Sequence, residues 1–376
     1  MRVEKVEYRD NSWHIHKRNI FGNTDIVFTF GDRDAIKNRD IYEKLKKIYP
    51  SADIVGCSSS GNILGDSVSE CTIVATAVVF DRSSVRIATK DFSPIDNQKE
   101  VSKKLISILP KENLKHIFIL SDGLNMNGSA LVYGANEVIK HNVPITGGLA
   151  GDGLELEETV VRVNSIAKSN RVVAIGFYGD SISVKSGCYA GWSEFGILRK
   201  ITKSKDNIVY EIDGKPALEL YKKYLGEYAN NLPQSALNFP ISIKASISDS
   251  AIIRSVLGVD EKHNALIFAG DVPEGYLGRL MKTNIDHLID GSKLAAKQIE
   301  KVNHNTALGL VVSCIGRKLV LQQLTDEELE SVSDTLGSNV ELIGFYSYGE
   351  LAPFSDKLLS CNLHNQTMTL TVIYED

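Results

Sequence analysis

The chain has 376 residues, with 42 Lys and Arg against 47 Asp and Glu, so its formal net charge is −5. This length predicts about two domains, each large enough to bury a core without disulfides or a structural metal. The nearly balanced charge argues against a nucleic-acid partner, and apolar runs of only strand length argue against a membrane span. The polar first residues and five scattered cysteines predict a cytoplasmic protein with reduced thiols.

The first predicted unit has the order β-α-β-loop-β-β. Residues 25–30 form an apolar strand, and Ile41, Leu45 and Ile48 lie on one face of a helix that Pro50 ends. A second strand enters the small-residue loop GCSSSGNILG. The buried-strand pattern CTIVATAVVF and the alternating pattern VRIATK follow this loop.

The same order recurs twice along the chain. The second copy contains HIFIL, a polar loop, a helix over 129–141, the strand VPIT and the loop GGLAGDG. The strand candidates TVVRVNSIA and RVVAIGFYG follow it. The third contains LGLVVS, a helix over 325–336, the loop IGFYSYGELAP and the strand TMTLTVIY. In this third helix Thr325 and Glu328 predict a capping box, and Gly337 stands where a left-handed C′ residue is expected.

The first and third loops align without gaps, as VGCSSSGNI against IGFYSYGEL. The alignment pairs Gly56 with Gly344 and Ser59 with Ser347. We interpret this match as an internal duplication, and chance similarity of strand-to-turn chemistry is the alternative.

The predicted fold class is α/β, with two domains of mixed β-sheets built from repeated β-α-β-β units and helices packed on the sheets. Parallel neighbours are expected within each β-α-β crossover, and antiparallel hairpins are expected in the strand pairs after each glycine loop. A strand, an Asp-Gly turn and a helix precede the third copy. They place the domains at 1–205 and 206–376.

Three common catalytic or nucleotide-binding motifs are incomplete. The loop at Gly56 has the glycine spacing of a phosphate loop, but Asn62 and Ile63 stand where Lys and Ser or Thr are needed. In the sister loop Glu350 occupies the corresponding position, where a carboxylate repels phosphate. GGLAGDG lacks the G-x-G-x-x-G spacing, and GCSSS lacks the last glycine of a nucleophile elbow.

Small and polar residues follow the carboxyl ends of several predicted strands. Ligands of open α/β sheets commonly bind at this edge, and glycine permits close approach of the backbone. Tight turns are the alternative role for these glycines. The predicted ligand-binding residues are Cys57, Ser58, Ser59, Ser60, Gly61, Ser121, Asp122, Asn125, Gly147, Gly148, Asp152, Arg317, Tyr346, Tyr348 and Glu350.

Eight strings carry a resemblance to the FIST family, from about residue 24 to the end. In chain order they are GCSSSGNI, SDGLN, PITGGLAGD, GWSEFG, EIDGKPALELY, SCIGR, IGFYSYGELAP and LHNQTMTLTVIY. The resemblance implies a FIST N-like and a FIST C-like domain that act as an intracellular sensory pair for small ligands such as amino acids. It also implies association with kinases, cyclic-dinucleotide enzymes or chemotaxis proteins, and haem-based nitric oxide sensing in some bacterial members.

We therefore expect a non-enzymatic signal-transduction protein that binds a small polar ligand between its glycine-rich loops, without a cofactor or metal. Its output would pass to a separate protein, because no kinase, cyclase, receptor or F-box segment remains beside the two domains. The first alternative is a haem-binding nitric oxide sensor, with His364 or else His287 as the axial ligand. The second is a hydrolase or transferase that uses Cys57, Ser59 or Cys314 as its nucleophile.

Overall fold

The computed structural model describes residues 1–16, 18–70, 72–140, 142–299, 306–355 and 358–376. Cys71 lies outside the described residues, and so does His141 at the end of the second predicted helix. In the described ranges, none of the helices has the length and apolar character that crossing a membrane requires. The four cysteines within these ranges are free thiols.

These ranges form 28 β-strands and eight α-helices. The first half, in chain order, contains β1 (Arg2–Arg9), β2 (Ser12–Ile15), β3 (Ile26–Gly31), α1 (Arg33–Lys37), α2 (Arg39–Ile48), β4 (Asp53–Ser58), β5 (Asn62–Leu64), β6 (Ser67–Ser69), β7 (Ile73–Val79), β8 (Ser84–Asp91), α3 (Gln98–Ile108), β9 (Leu114–Ser121), α4 (Gly128–Ile139), β10 (Ile145–Leu149), β11 (Val161–Val163), β12 (Ile166–Lys168), β13 (Arg171–Tyr178) and β14 (Ile182–Tyr189). The second half contains β15 (Ser193–Glu194), β16 (Arg199–Lys205), β17 (Ile208–Ile212), β18 (Lys215–Pro216), α5 (Ala217–Leu225), β19 (Ile241–Lys244), β20 (Ile252–Arg254), β21 (Val256–Asp260), β22 (Ala265–Phe268), β23 (Leu277–Lys282), α6 (Ile285–Lys297), β24 (Ala307–Cys314), α7 (Ile315–Leu321), α8 (Thr325–Leu336), β25 (Val340–Ser347), β26 (Gly349–Ser355), β27 (Leu358–His364) and β28 (Met368–Glu375).

Three of the four sheets in the described chain share one plan. Sheet I has the order β12-β11-β4-β3-β7-β1-β2, sheet II the order β27-β26-β10-β9-β13-β8, and sheet III the order β6-β5-β25-β24-β28-β14. Each contains one parallel pair, β3/β4, β9/β10 or β24/β25, with antiparallel strands on both sides. The strands β5, β11 and β26 each leave their own unit and pair with the second strand of another, so the three units interlock.

The second strand of each parallel pair carries a glycine at the same position. A Cβ added there would lie 1.7 Å from the Thr29 carbonyl oxygen at Gly56, and 1.9 Å from a neighbouring carbonyl oxygen at Gly147 and at Gly344. Only glycine lets the two strands approach this closely. The shared plan thus explains why glycines recur in the sequence copies, and duplication as their origin stays a prediction.

The inner faces of sheets I, II and III share one apolar core. Phe28 of sheet I meets Phe118 of sheet II edge to face, with centroids 6.3 Å apart, and Phe30 stacks on Phe345 of sheet III at 4.7 Å. On the outer faces α2 covers sheet I, α3 and α4 cover sheet II, and α6 and α8 cover sheet III. We call this assembly the three-sheet body. The predicted α/β class with mixed sheets and packed helices is confirmed.

The prediction that CTIVATAVVF and VRIATK pair with each other as an antiparallel hairpin was wrong. The strand β7 pairs with β1 and β3 in sheet I, whereas β8 pairs with β13 in sheet II. All residues of β7 are buried, which suits a central strand, and the burial of β8 varies along the strand as at a sheet edge. Short antiparallel hairpins do follow the loops, as β5/β6, β11/β12 and β26/β27.

Sheet IV forms a separate layer with its own core. Its order is β20-β19-β23-β16-β17-β22-β21, with β15 on β23 and β18 on β17, and α5 packs against it. The Arg254 Nη1 donates to the Leu363 carbonyl at 2.8 Å, and Asp271 Oδ1 accepts from Asn127 Nδ2 at 2.9 Å, which joins the sheet to the three-sheet body. The boundary at 205 and 206 falls between the paired strands β16 and β17, and it stays a prediction.

Candidate functional site

The loops that follow β4, β10 and β25 meet at one end of the three-sheet body. We call residues 57–61, 149–153 and 346–349 the loop end. Ser60 N donates to the Tyr346 carbonyl at 2.9 Å, and Tyr346 N donates back to the Gly61 carbonyl at 2.9 Å. These bonds join loops that are far apart in sequence, so the strand ends of different units form a single surface.

Two aspartates hold the turns at this surface. Asp122 Oδ1 accepts from the backbone N–H groups of Leu124 and Asn125 at 2.8 and 2.9 Å. Asp152 Oδ2 accepts from the N–H groups of Glu157 and Glu158 at 2.8 and 2.9 Å. Both side chains therefore shape loops, as aspartate commonly does in turns.

A large cleft of about 730 Å³ lies between the loop end and sheet IV. Its wall on the three-sheet body includes Asn125, Leu149, Cys314, Ile315, Tyr348 and Asn365. Its wall on the opposite side includes Leu237, Ser255, Val256 and Phe268. Among the described residues that line it, none is Asp, Glu, Lys, Arg or His, and we call it the neutral cleft.

A second cleft of about 440 Å³ adjoins the first. The residues that line both are Gly153, Leu154, Ile315 and Leu319. Its charged and polar lining includes Arg33, Ser59, Ser60, Glu70, Asp152 and Lys318, and we call it the charged cleft. Lys318 Nζ donates to the Ser60 carbonyl at 2.8 Å and pairs with Glu70. Arg33 Nη2 pairs with Glu155 at 3.0 Å, so both cations already have acidic partners.

Some of the predicted site residues line these clefts, and the others do not. Ser59, Ser60, Gly61 and Asp152 line the charged cleft, and Asn125 and Tyr348 line the neutral cleft. The remaining predicted residues do not line either cleft. They are Cys57, Ser58, Ser121, Asp122, Gly147, Gly148, Arg317, Tyr346 and Glu350.

Arg317 lies in a buried ion pair. Its Nη2 donates to Glu328 Oε2 at 2.8 Å, and both side chains are fully buried. Glu328 Oε1 also accepts from Ser313 Oγ at 3.1 Å and from the Tyr346 hydroxyl at 2.5 Å. Arg317 therefore ties helices and strands together beneath the loop end and is not free to hold an anion.

The same network shows that the predicted capping box was wrong. The helix α8 begins at Thr325 after Leu324, which provides no side-chain cap, and Thr325 Oγ1 donates to the Gln322 carbonyl instead. Glu328 turns inward to Arg317 because a buried guanidinium needs a carboxylate partner more than an exposed N–H does. Gly337 follows the helix with a positive φ of 88°, but its ψ of 164° lies outside the left-handed αL region that was predicted.

Glu350 is a fully buried carboxyl beside this network. It accepts from Ser347 Oγ at 2.7 Å and from Thr367 N and Oγ1 at 3.1 and 2.9 Å. Burial raises the pKa of Glu350 to about 7, although these hydrogen bonds and the Arg317 charge lower it. The group thus stands close to half-protonated at neutral pH.

The candidate nucleophiles are poorly placed for catalysis. Cys57 lies in the apolar core, and burial raises its pKa well above the ordinary value. Cys314 lines the neutral cleft but is 4% exposed, and burial raises its pKa strongly as well. Ser59 Oγ donates to Asn62 Oδ1. Burial thus disfavours the thiolate at both cysteines.

Neither candidate haem ligand is among the described residues that line the neutral cleft or the charged cleft. His364 is 4% exposed, its Nε2 lies 3.1 Å from the Ala352 carbonyl oxygen, and burial lowers its pKa to about 4. His287 is exposed at the start of α6, with Nδ1 3.4 Å from Ser193 Oγ. These positions do not fit an axial ligand facing a porphyrin pocket, and haem binding through either residue stays a prediction.

Sequence reasoning missed several residues that line the clefts. Arg33 follows the carboxyl end of β3 and Lys318 follows Arg317 on α7, so both were recognisable as polar residues after predicted strands. Asn365 stands in the turn between β27 and β28, and Ser255 links β20 to β21 of sheet IV. The packing of sheet IV against the three-sheet body brings these two residues to one cleft. Their local sequence gives no sign of it.

Two family models match the chain. The FIST N domain model matches residues 25–215, and the FIST C domain model matches residues 217–353. An uncharacterized protein of Methanocaldococcus jannaschii is 24% identical, over 96% of this chain and 75% of the relative.

Two solved cyanuric acid hydrolases, one from A. caulinodans, are 8% and 10% identical to this chain. Each comparison covers 94% of this chain and 90% or 91% of the other, with TM-scores of 0.32 and 0.33. At such scores the likeness carries no argument about activity. The two family models together span most of the chain, and this protein therefore belongs to the FIST family, whose domains are sensor domains of signal transduction.

Proposed function

We propose that this chain is a non-enzymatic sensor that binds a small polar ligand in the neutral cleft. It passes the signal to a separate protein such as a kinase, a cyclic-dinucleotide enzyme or a chemotaxis protein. The observation that carries the proposal is the position of the cleft, about 730 Å³ in volume, between the loop end and sheet IV. Ligand sites commonly occupy concave spaces of this size between separately folded layers.

The two walls of the cleft belong to units with separate cores. Sheet IV packs around its own apolar cluster, and polar contacts such as those of Arg254 and Asp271 join it to the three-sheet body. A ligand that touches both walls favours the arrangement in which they are close. Each tenfold ratio between the ligand's affinities for the two arrangements corresponds to about 1.4 kcal/mol. This free energy shifts the population towards the arrangement in which the walls are close.

Burial of the candidate nucleophiles supports a role without catalysis. The Cys57 thiol lies in the core, and the Ser59 hydroxyl is hydrogen-bonded to Asn62. Cys314 reaches the cleft wall, but its raised pKa keeps it in the weakly nucleophilic thiol form. The cleft wall therefore offers binding groups more readily than an activated nucleophile.

A thermal-shift screen against amino acids and related metabolites at millimolar concentration tests the proposal. A ligand at one hundred times its Kd stabilises the folded state by about 2.7 kcal/mol, which raises Tm by several degrees. Ala269→Phe places a ring in the neutral cleft, whereas Ile247→Phe changes an exposed residue between β19 and β20 that is not in the described lining of the cleft. We expect the wild type and Ile247→Phe to respond and Ala269→Phe not to respond.

Two results would count against the proposal. One is a screen in which no compound raises the Tm of the wild type. The other is an equal Tm increase in Ala269→Phe and Ile247→Phe, because binding would then occur outside the neutral cleft.

A further inference from the structure

Asn365 is the least satisfied polar side chain at the neutral cleft. It stands in the turn between β27 and β28, lines the cleft and is 1% exposed. Within the described part of the chain, neither its Nδ2 nor its Oδ1 has a hydrogen-bond partner. A buried carboxamide left unpaired destabilises the protein, and a ligand that pairs with both atoms removes this penalty.

Two other amides of the cleft lining, Asn127 and Gln98, differ from Asn365 because they already serve the fold. Asn127 Oδ1 caps α4, and its Nδ2 donates to Asp271. Gln98 Nε2 donates to the Asn125 carbonyl at 2.7 Å, and its Oε1 accepts from Asn127 N at 2.5 Å. These side chains hold loops and the attachment of sheet IV, so they are not available to a ligand in the way that Asn365 is.

The turn that carries Asn365 is held on both sides of the cleft. Gln366 Nε2 donates to the Leu237 carbonyl at 3.4 Å, across to the opposite wall. Thr367 donates to Glu350 through its N–H and its hydroxyl. The backbone of the turn is therefore ordered before a ligand arrives, which favours affinity because less freedom is lost on binding.

The remaining lining restricts the charge of the ligand. The described lining of the neutral cleft contains no Asp, Glu, Lys, Arg or His, and apolar side chains such as Leu149, Val256 and Phe268 surround the polar groups. An ionic group moved there from water would lose its hydration without gaining a counter-ion. An uncharged ligand with a polar edge and an apolar body meets no such penalty.

We infer that the neutral cleft takes an uncharged molecule whose N–H donor and carbonyl acceptor lie side by side, paired with the carboxamide of Asn365. The edge of a lactam, a cyclic imide or a nucleobase has this arrangement, and a carboxamide can bond to both of its groups at once. This inference rests on the proposed function, because it takes the neutral cleft as the ligand site. It narrows the small polar ligand to a neutral cyclic amide.

Ser255 provides a second polar group on the opposite wall. Its Oγ is buried, the residue is 4% exposed, and the described residues offer this hydroxyl no hydrogen-bond partner. A hydroxyl donates and accepts, so it can bond to a further carbonyl of a cyclic imide or a base. A ligand held by Asn365 and Ser255 together would span the two walls.

The test compares matched probes by isothermal titration. The panel contains δ-valerolactam, succinimide and uracil, their N-methylated counterparts, and the charged compounds orotate and leucine. We expect at least one N–H compound to bind, and we expect N-methylation to weaken its affinity at least tenfold. Asn365→Leu should weaken it at least tenfold as well, whereas Asn230→Leu, a change at an exposed residue, should leave it unchanged.

The unliganded variant supplies a second readout that a merely structural asparagine would not give. Asn365→Leu keeps four side-chain heavy atoms branched at Cγ but removes the unpaired amide, so we expect its Tm to equal or exceed that of the wild type. A Tm several degrees lower would show that Asn365 supports the fold, and it would overturn the inference.

Three binding results would also overturn it. They are equal binding of N-methylated probes, unchanged affinity in Asn365→Leu, and no binding by any uncharged member of the panel. If orotate or leucine binds and Ala269→Phe blocks it, the proposed function survives and only the neutral cyclic amide is excluded. If no compound of any class binds, both proposals fail.

Discussion

Glu350→Gln should remove a pH dependence from the stability of this protein. Glu350 is fully buried, and burial raises its pKa to about 7 from an ordinary value of 4.5. The folded state therefore binds this proton more tightly than the unfolded chain does. Stability from this group is fully present below pH 4.5 and is lost as the pH rises towards 7.

The magnitude follows from the size of that shift. A displacement from 4.5 to about 7, at about 1.4 kcal/mol for each pH unit, gives about 3 kcal/mol in total. Between pH 5 and 8 the wild type should lose about 2 to 3 kcal/mol through this group alone. Gln does not titrate, and the hydroxyls of Ser347 and Thr367 can rotate to suit its amide.

Urea denaturation followed by tryptophan fluorescence measures the effect. The free energies of unfolding of the wild type and Glu350→Gln are compared at several pH values, because the difference cancels the contributions of other groups. We expect Glu350→Gln to gain about 2 to 3 kcal/mol relative to the wild type from pH 5 to 8. Glu227→Gln, at an exposed position, should show no such gain. Parallel curves for the wild type and Glu350→Gln would show that the folded state does not bind the Glu350 proton more tightly than the unfolded chain.

Three further predictions concern the buried network, the glycine positions and the core thiol. Glu328→Ala should lower the free energy of unfolding by about 3 to 5 kcal/mol in urea, because it leaves Arg317 buried without a counter-ion, and a loss below about 1 kcal/mol would contradict this. Gly147→Ala should give little folded protein by circular dichroism, since its Cβ would lie 1.9 Å from a carbonyl oxygen. The control Gly258→Ala, whose added Cβ would have its nearest atoms at 3.8 Å, should keep a near-wild-type Tm. Similar melting curves for the two variants would show that the strands do not need glycine for their close approach. Iodoacetamide should label Cys57 only after unfolding, and labelling of the native protein within minutes, detected by mass spectrometry, would show that the thiol is reactive.

Local sequence patterns predicted the repeated units but not how they interlock. The parallel pair β3/β4 and the helix α8 follow from hydrophobic periodicity over short stretches. The pairing of β5 with β25 joins residues almost three hundred positions apart, and no local pattern specifies such a partner. The hairpin expected for β7 and β8 failed for the same reason, because each strand found a better-buried neighbour in a different sheet.

The candidate site shows the same division. Ser59 and Tyr348 were identified because they follow predicted strands, and both line a cleft. Arg317 was identified by the same rule, yet it is buried in an ion pair with Glu328 of α8. Tertiary packing decides which side chains of α8 face inward, so the sequence did not predict this pair. Asn365 could not be recognised from sequence, because its lack of a partner is a property of the assembled cleft.

Hydrogen exchange tests the central claim, that a ligand joins the two walls of the neutral cleft. The probe is the compound, from either panel, that raises the Tm most. We expect the bound probe to slow amide exchange in peptides from both walls, within residues 314–319 and 254–270. Protection confined to one wall, or protection only in regions outside the cleft, would contradict it.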